Sequence, residues 1–251
     1  MALSLPTASD APIIELDTID STNNYAMRLI DADTAQAGLT ITAREQTDGK
    51  GQRGRVWQDS PGESLLMSIV AVPLHGLDRQ FLFNVAATLG IAEVLQKLCE
   101  NCDIRIKWPN DIIVNDKKAG GVLIENVIRG SHWAYSIIGL GLNVWQEAMP
   151  AGLPYATSLR MASGKGYDLK MLVDMLRTQI LQHIYYADDT TMMQQYNQYL
   201  YRKGQVQRFE EDGQEWEAMI NGVTADGQLV VQRTDGTMQR LTHGVVNWQW
   251  Q

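Results

Sequence analysis

Apolar positions follow two rhythms along the chain. Residues 12–19 and 39–43 are short runs containing β-branched residues, and each reads as a strand. Residues 64–72 (SLLMSIVAV) are almost continuously apolar, the pattern of a buried strand. Over residues 79–98 the spacing changes. Phe81, Leu82, Val85, Leu89, Ala92 and Leu95 recur at helical intervals and predict a long helix packed on a sheet. A short strand follows at 104–107. Residues 112–114 and 121–127 flank Asn115, Asp116, Lys117 and Lys118, which have the composition of a hairpin turn. Residues 133–144 form a further strand that contains Gly139 and Gly141. Residues 145–167 are rich in proline and glycine with little periodicity, a mobile loop of the kind that orders over a ligand. Two helices are expected at 168–187 and 191–201. From about residue 203 short alternating strands are broken by Asp212-Gly213, Asn221-Gly222, Asp226-Gly227 and Asp235-Gly236, which suggests a small antiparallel barrel. The expected fold is thus α/β (α+β): a mixed, largely antiparallel sheet with helices on one face over residues 1–202, and a small C-terminal β-barrel over 203–251. Residues 1–10 are read as a frayed start.

Composition narrows the function classes. Hydrophobic content of 45% and charged content of 20% are ordinary for a globular protein of 251 residues. No apolar run reads as a membrane span, and no signal peptide opens the chain. A formal net charge of -8 and a sequence pI near 5.0 argue against general nucleic-acid binding, which needs a basic face. Neither excludes a local cationic pocket for an anionic small molecule. Cys99 and Cys102 have metal or redox spacing but no second pair and no nearby histidine. Reduced thiols in a cytoplasmic protein are the alternative.

Candidate chemistry centres on the stretch from Gln46 to Trp57. Gly49, Gly51 and Gly54 permit positive φ and close approach of the backbone to a ligand. Lys50, Arg53 and Arg55 add cations suited to phosphate or carboxylate, and Trp57 adds a flat apolar surface. The alternative is a flexible basic surface loop. Upstream, Asp20, Ser21, Thr22 and Asn23 are helix-capping residue types, and a helix start also offers free N–H groups to a ligand. Lys107 ends a strand, is followed by Trp108-Pro109, and is flanked by Asn110 and Asp111. A lysine held in this way can stabilise charge that develops between two anions. Glycines inside a strand mark close approach of another group, so Gly139 and Gly141 are candidate pocket lining.

In order, these features are S-T-N at a helix start, a Gly/Arg loop ending in Trp, K-W-P-N-D, K-A-G-G-V-L-I-E and G-L-G-L-N-V. Together they resemble the biotin protein ligases, over about residues 13–160 and with the C-terminal barrel in addition. The resemblance implies a glycine loop, Gly49 through Trp57, that encloses biotin and then the adenylate. It implies biotin-pocket positions at Ser21, Thr22, Asn23, Gln46, Gly49, Lys50, Gly51, Gln52, Arg53, Trp57, Lys107, Gly120, Gly139 and Gly141. Arg55, Trp57, Lys107 and Asn143 match positions that bind ATP, and Lys107 and Arg55 match the catalytic cations. Residues 145–160 match a loop that closes over adenine.

Two departures stand out. Lys50 and Gln52 occupy positions where the family motif has arginines; lysine loses the bidentate geometry and glutamine loses the charge. Arg53, one place along, is the candidate to supply the missing cation. The resemblance implies ATP-dependent transfer of biotin, through biotinyl-5′-AMP, to a lysine of a biotin carboxyl carrier protein. Mg²⁺ would be held mainly by ATP, with no protein metal site. It further implies a cytoplasmic monomer or homodimer that binds neither nucleic acid nor membrane and lacks an N-terminal DNA-binding domain. The competing readings are a lipoate ligase or octanoyltransferase, whose glycine and histidine signatures are not found, and a non-catalytic binding module.

Overall fold

The computed structural model describes residues 11–58 and 60–249; the expected frayed start at 1–10 lies outside them. The first sheet has seven strands: β1 (Ile13–Ile19), β2 (Thr40–Gln46), β3 (Ser64–Ala71), β4 (Ile104–Lys107), β5 (Asp111–Val114), β6 (Lys117–Arg129) and β7 (His132–Asn143). Their spatial order is β1-β2-β3-β7-β6-β5-β4, with β1 parallel to β2 and every other neighbour antiparallel. The hairpin between β5 and β6 turns on Asn115 and Asp116, both at positive φ (49° and 62°), as a tight two-residue turn requires. Lys117 and Lys118, expected in that turn, already belong to β6.

β3 lies at the sheet centre and all eight of its residues are buried, which explains its unbroken apolar run. Its alternate side chains serve two cores. Leu65, Met67, Ile69 and Ala71 join a large cluster with α2 (Gln80–Leu98) and α4 (Leu169–Tyr186). Val70 joins Ala26 and Ile30 of α1 (Thr22–Asp31), together with Ile41 and Ile137. Helices therefore cover both faces, not one as the periodicity suggested: the amphipathic α1 buries a separate apolar stripe on the far side. Residues 77–98 form a helical segment that is long and apolar enough, by length and composition alone, to cross a membrane, contrary to the expectation from sequence. Most of it is buried here, and α2 runs against α4 so closely that a Cβ on Gly90 would lie 3.1 Å from the Ile180 nitrogen.

The region 145–167 is not wholly irregular. It contains α3 (Leu159–Ser163), whose N-cap Ser158 accepts from Met161 N at 3.0 Å. The backbone of Lys118 in β6 pins it from both sides, donating to Tyr155 O at 2.8 Å and accepting from Thr157 N at 2.9 Å. Helix α5 (Asp189–Tyr199) leads to the second sheet. Where a small antiparallel barrel was expected near the C-terminus, the described residues form a five-stranded antiparallel sheet of β8 (Val206–Glu211), β9 (Gln214–Val223), β10 (Leu229–Arg233), β11 (Met238–Leu241) and β12 (Asn247–Gln249), in the order β11-β10-β9-β8-β12 with β11 and β12 at its two ends. Phe209, Ile220, Leu229 and Val231 from it continue the large hydrophobic cluster of the first sheet.

One expected turn is a strand instead. Asn221-Gly222 sits inside β9, because Asn197 of α5 lies against the β9 backbone there. Its side chain accepts from Val223 N at 2.7 Å and donates to Val223 O at 3.1 Å, and a Cβ on Gly222 would lie 2.9 Å from its oxygen. Gly222 is a close-approach glycine, not a turn glycine. Cys99 and Cys102 are buried free thiols in the core beside α2. Cys99 Sγ lies 2.8 Å from the Tyr167 hydroxyl, and burial pushes the Cys102 thiol up to about 11, away from the reactive thiolate.

Candidate functional site

A cavity of about 1130 Å³ opens where the β1–α1 turn, the glycine loop, the ends of β4 and β7 and the second sheet converge. Its floor is built from the S-T-N run. Ser21 is the N-cap of α1 but makes no side-chain capping bond, contrary to the residue-type expectation. The cap comes from outside the helix: Gln46, the last residue of β2, accepts from Thr22 N at 2.8 Å and lies 3.0 Å from the Thr22 hydroxyl. Asp20 instead accepts from both terminal nitrogens of Arg28, which holds its carboxyl well below the usual carboxylate range. Asn23 is fixed on three sides. Its amide nitrogen donates to Glu125 Oε2 at 2.7 Å, its oxygen lies 2.6 Å from Ser68 Oγ, and a Cβ on Gly139 would overlap that oxygen.

The glycine loop closes on itself as a small hairpin. Gly51 N donates to Arg55 O at 2.7 Å, Trp57 N to Gly49 O at 2.9 Å and Arg55 N to Gln52 O at 3.2 Å. Positive φ falls on Arg53 (58°) and Gly54 (73°), not on all three glycines. Gly49 is needed for room, since a Cβ there would lie 2.7 Å from Trp57 O. The Trp57 ring lies on Gly141 of β7, where a Cβ would come within 2.6 Å of the indole, and its Nε1 is buried with no hydrogen-bond partner among the described residues. Lys50 reaches away from the loop to donate to Asn24 Oδ1 at 2.5 Å.

Lys107 ends β4 at the cavity wall. The cis Trp108–Pro109 unit beside it is held on several sides: Asn84 and Tyr196 donate to Pro109 O at 2.7 and 3.1 Å, and Trp108 Nε1 donates to Gly227 O at 3.0 Å. Lys107 Nζ lies 3.6 Å from Asp111 Oδ2, and Lys118 Nζ lies 2.6 Å from Asp111 Oδ1, so one carboxylate gathers two ammonium groups. Lys107 Nζ also stands 5.1 Å from the ring centroid of Trp248, over its face. Burial lowers the pKa of Lys107, with Lys118 and Arg55 adding to the effect and Asp111 opposing it. His243 packs edge-on to Trp108 with centroids 5.3 Å apart; desolvation, with Arg53 and Lys107 nearby, lowers its pKa to about 4.

The structure brings together, around this one cavity, Ser21, Thr22, Asn23, Gln46, Lys50, Gly51, Gln52, Arg53, Arg55, Trp57, Lys107, Gly139, Gly141 and Asn143. Gly49 and Gly120 do not line it. They are packing glycines, and a Cβ on Gly120 would lie 2.8 Å from Gly141 O. Asn143 lines the wall, with its amide nitrogen donating to Thr157 O at 3.0 Å and its oxygen 3.4 Å from Ser64 Oγ. Sequence reasoning missed Lys118, Glu210 and the second-sheet segment from His243 to Trp248, all of which line the cavity. Among the described residues, no three His, Cys, Asp or Glu side chains come together to hold a metal.

The family model of the biotin/lipoate A/B protein ligase family matches residues 15–143. The chain belongs to that family. It is 33% identical over 175 residues to the bifunctional ligase/repressor BirA of Bacillus spizizenii, an alignment covering 68% of this chain and 51% of that protein. It is 29% identical over 162 residues to the biotin–[acetyl-CoA-carboxylase] ligase of Paracoccus denitrificans, covering 62% of this chain and 66% of that one. The biotin protein ligase from Aquifex aeolicus, solved in complex with biotin and ATP, shares the fold at a TM-score of 0.79 and 22% identity, covering 95% of this chain and 99% of that one. The chain spans about half the length of the Bacillus relative.

Proposed function

We propose that this chain is a biotin protein ligase that joins biotin to a lysine of a carboxyl carrier protein through biotinyl-5′-AMP. The observation that carries the reading is the pairing of Lys107 and Lys118 on Asp111, in the same cavity as the amide-rich floor of Thr22, Asn23 and Gln46. The floor suits the hydrogen-bonding head of biotin, and the paired ammonium groups suit the meeting of its carboxylate with the α-phosphate of ATP.

In the first half-reaction a carboxylate oxygen of biotin attacks the α-phosphorus, the bond to pyrophosphate breaks, and the mixed anhydride forms. Two anions converge there, so fixed positive charge at Lys107, Lys118 and Arg55 stabilises the transition state more than the ground state. A magnesium ion accompanying ATP would be held mainly by the phosphates. In the second half-reaction the carrier lysine amine attacks the acyl carbon, AMP leaves and an amide forms. Trp57 on Gly141 and the hairpin above it would screen the anhydride from water. The reading places the enzyme in the cytoplasm, where Cys99 and Cys102 stay reduced.

Biotin-dependent release of pyrophosphate from ATP, with Lys107→Ala alongside, tests this directly. Release by the parent and a loss of at least about a hundredfold in the variant is the expected result. Release with lipoate but not biotin would move the chain to the lipoate branch of its family. Saturable biotin binding with no pyrophosphate release would make it a binding module.

A further inference from the structure

The K-A-G-G-V-L-I-E run ends on Glu125, a carboxylate outside the reacting-group machinery. It is the end of a chain of short contacts that reaches the cavity floor. Glu125 Oε2 accepts from Asn23 Nδ2 at 2.7 Å. Ser68 Oγ, fully buried on β3, lies 2.6 Å from Asn23 Oδ1 and 2.7 Å from Thr22 Oγ1. Thr22 Oγ1 lies 3.0 Å from Gln46 Oε1, which also accepts from Thr22 N at 2.8 Å.

The proton positions follow from what each group can do. A carboxylate only accepts, so the amide nitrogen of Asn23 must face Glu125 and its carbonyl oxygen must face Ser68. That oxygen cannot donate, so the single Ser68 proton goes to it. Ser68 then has no proton left for Thr22, and the Thr22 proton is held within the protein, shared between Gln46 Oε1 at 3.0 Å and Ser68 Oγ at 2.7 Å. From Ser68 onward the protons therefore point one way, through Asn23 to Glu125. Thr22 Oγ1 is left as an acceptor toward the cavity. Gln46 has its oxygen held by Thr22 N, so its amide nitrogen, a double donor, is turned from that contact. An acceptor beside a donor complements a ligand with N–H beside C=O.

We propose that Glu125 and Ser68 are positioning residues that set the hydrogen-bond polarity of the pocket floor and so select a cyclic urea or lactam head group over a plain acyl or dithiolane chain. The inference deepens the biotin reading and rests on it. The direction originates at the carboxylate: with an amide in place of Glu125, Asn23 could turn over and return a proton to Ser68.

The test uses the full chain and Glu125→Gln, Ser68→Ala and the exchanged pair Asn23→Asp with Glu125→Gln, with melting temperatures confirming that each folds. Biotin and octanoate binding are measured, together with KM for biotin and for ATP. In Glu125→Gln and Ser68→Ala, biotin KM should rise on the order of tenfold while KM for ATP stays unchanged. The preference for biotin over octanoate should fall by the same factor. The exchanged pair should recover biotin KM, because the carboxylate now at position 23 can only accept and the amide now at position 125 can donate to it, restoring the direction at Ser68. A merely structural role for Glu125 would instead lower the melting temperature of Glu125→Gln and raise both KM values together. Unchanged biotin KM in folded Glu125→Gln, or no recovery in the folded exchanged pair, overturns the relay and leaves the ligase reading intact. A parent that binds no biotin overturns the reading and the relay with it.

Discussion

Arg53 donates from its guanidinium to the carbonyl oxygen of His243 at 2.9 Å, joining the tip of the glycine loop to the connection between β11 and β12. The contact depends on Gly244, which has φ +90° and whose Cβ would fall on the Arg53 guanidinium. Arg53 thus spends part of its hydrogen-bonding capacity holding the loop closed, beyond any charge it offers in place of the arginine absent at Gln52.

Gly244→Ala should open this latch. It removes a hydrogen bond to a charged group and puts a side chain in the left-handed region, each worth about 1–2 kcal/mol locally. Release of a preformed adenylate should quicken roughly tenfold, and Arg53→Ala should match it. Equal release rates in parent and Arg53→Ala would show that the latch holds nothing.

Lys107 should set the alkaline limit of the first half-reaction. Burial lowers its pKa, so the ammonium is lost at a pH below the ordinary lysine value of 10.5, and activity that needs the charge falls with it. Asp111 opposes that shift. Asp111→Asn should therefore move the alkaline limb of biotin-dependent pyrophosphate release to lower pH, where an unmoved limb would assign it to another group.

The strands and long helices were legible because their periods are local: SLLMSIVAV reads as a buried strand without help from the rest of the chain. Much of the site was legible through the S-T-N, glycine-loop and K-W-P-N-D motifs, which carry their chemistry in adjacent residues. What was not legible came from distant pairings. Lys118 read as a turn residue, and only the earlier start of β6 and the shared Asp111 place its ammonium in the cavity. Ser68 was one small residue in an apolar run until β3 packed beside α1. The wall from His243 to Trp248 has no motif of its own, and Asn221-Gly222 has a turn composition that the side chain of Asn197 overrides.

Two strand glycines should tolerate nothing larger. Gly139→Ala would overlap Asn23 Oδ1, and Gly141→Ala would press within 2.6 Å of the Trp57 ring. Overpacking of this kind costs about 1–3 kcal/mol. Gly139→Ala should weaken biotin binding by roughly ten- to a hundredfold. Gly141→Ala should instead displace Trp57, visible as a shift in tryptophan emission, with a larger effect on adenylate retention than on biotin binding. Reversed effects would misplace the two glycines.

His243 gives the fold an acid-sensitive joint. Its folded pKa of about 4 lies below the ordinary 6.5, because desolvation and the cations Arg53, Lys107 and Arg55 disfavour its charged form while Asp111 partly offsets them. The unfolded chain binds this proton more readily, so the contribution is fully present above pH 6.5 and is lost as pH falls through about 4. Protonation would add a cation beside the Arg53 contact. The ring keeps access to solvent, which screens part of the effect. His243→Asn cannot take up the proton, so its melting temperature should fall less between about pH 7.5 and 4.5 than that of the parent, and its adenylate release should quicken less over the same range. If parent and variant lose equal stability on acidification, the acid response belongs to the carboxylates and not to this joint.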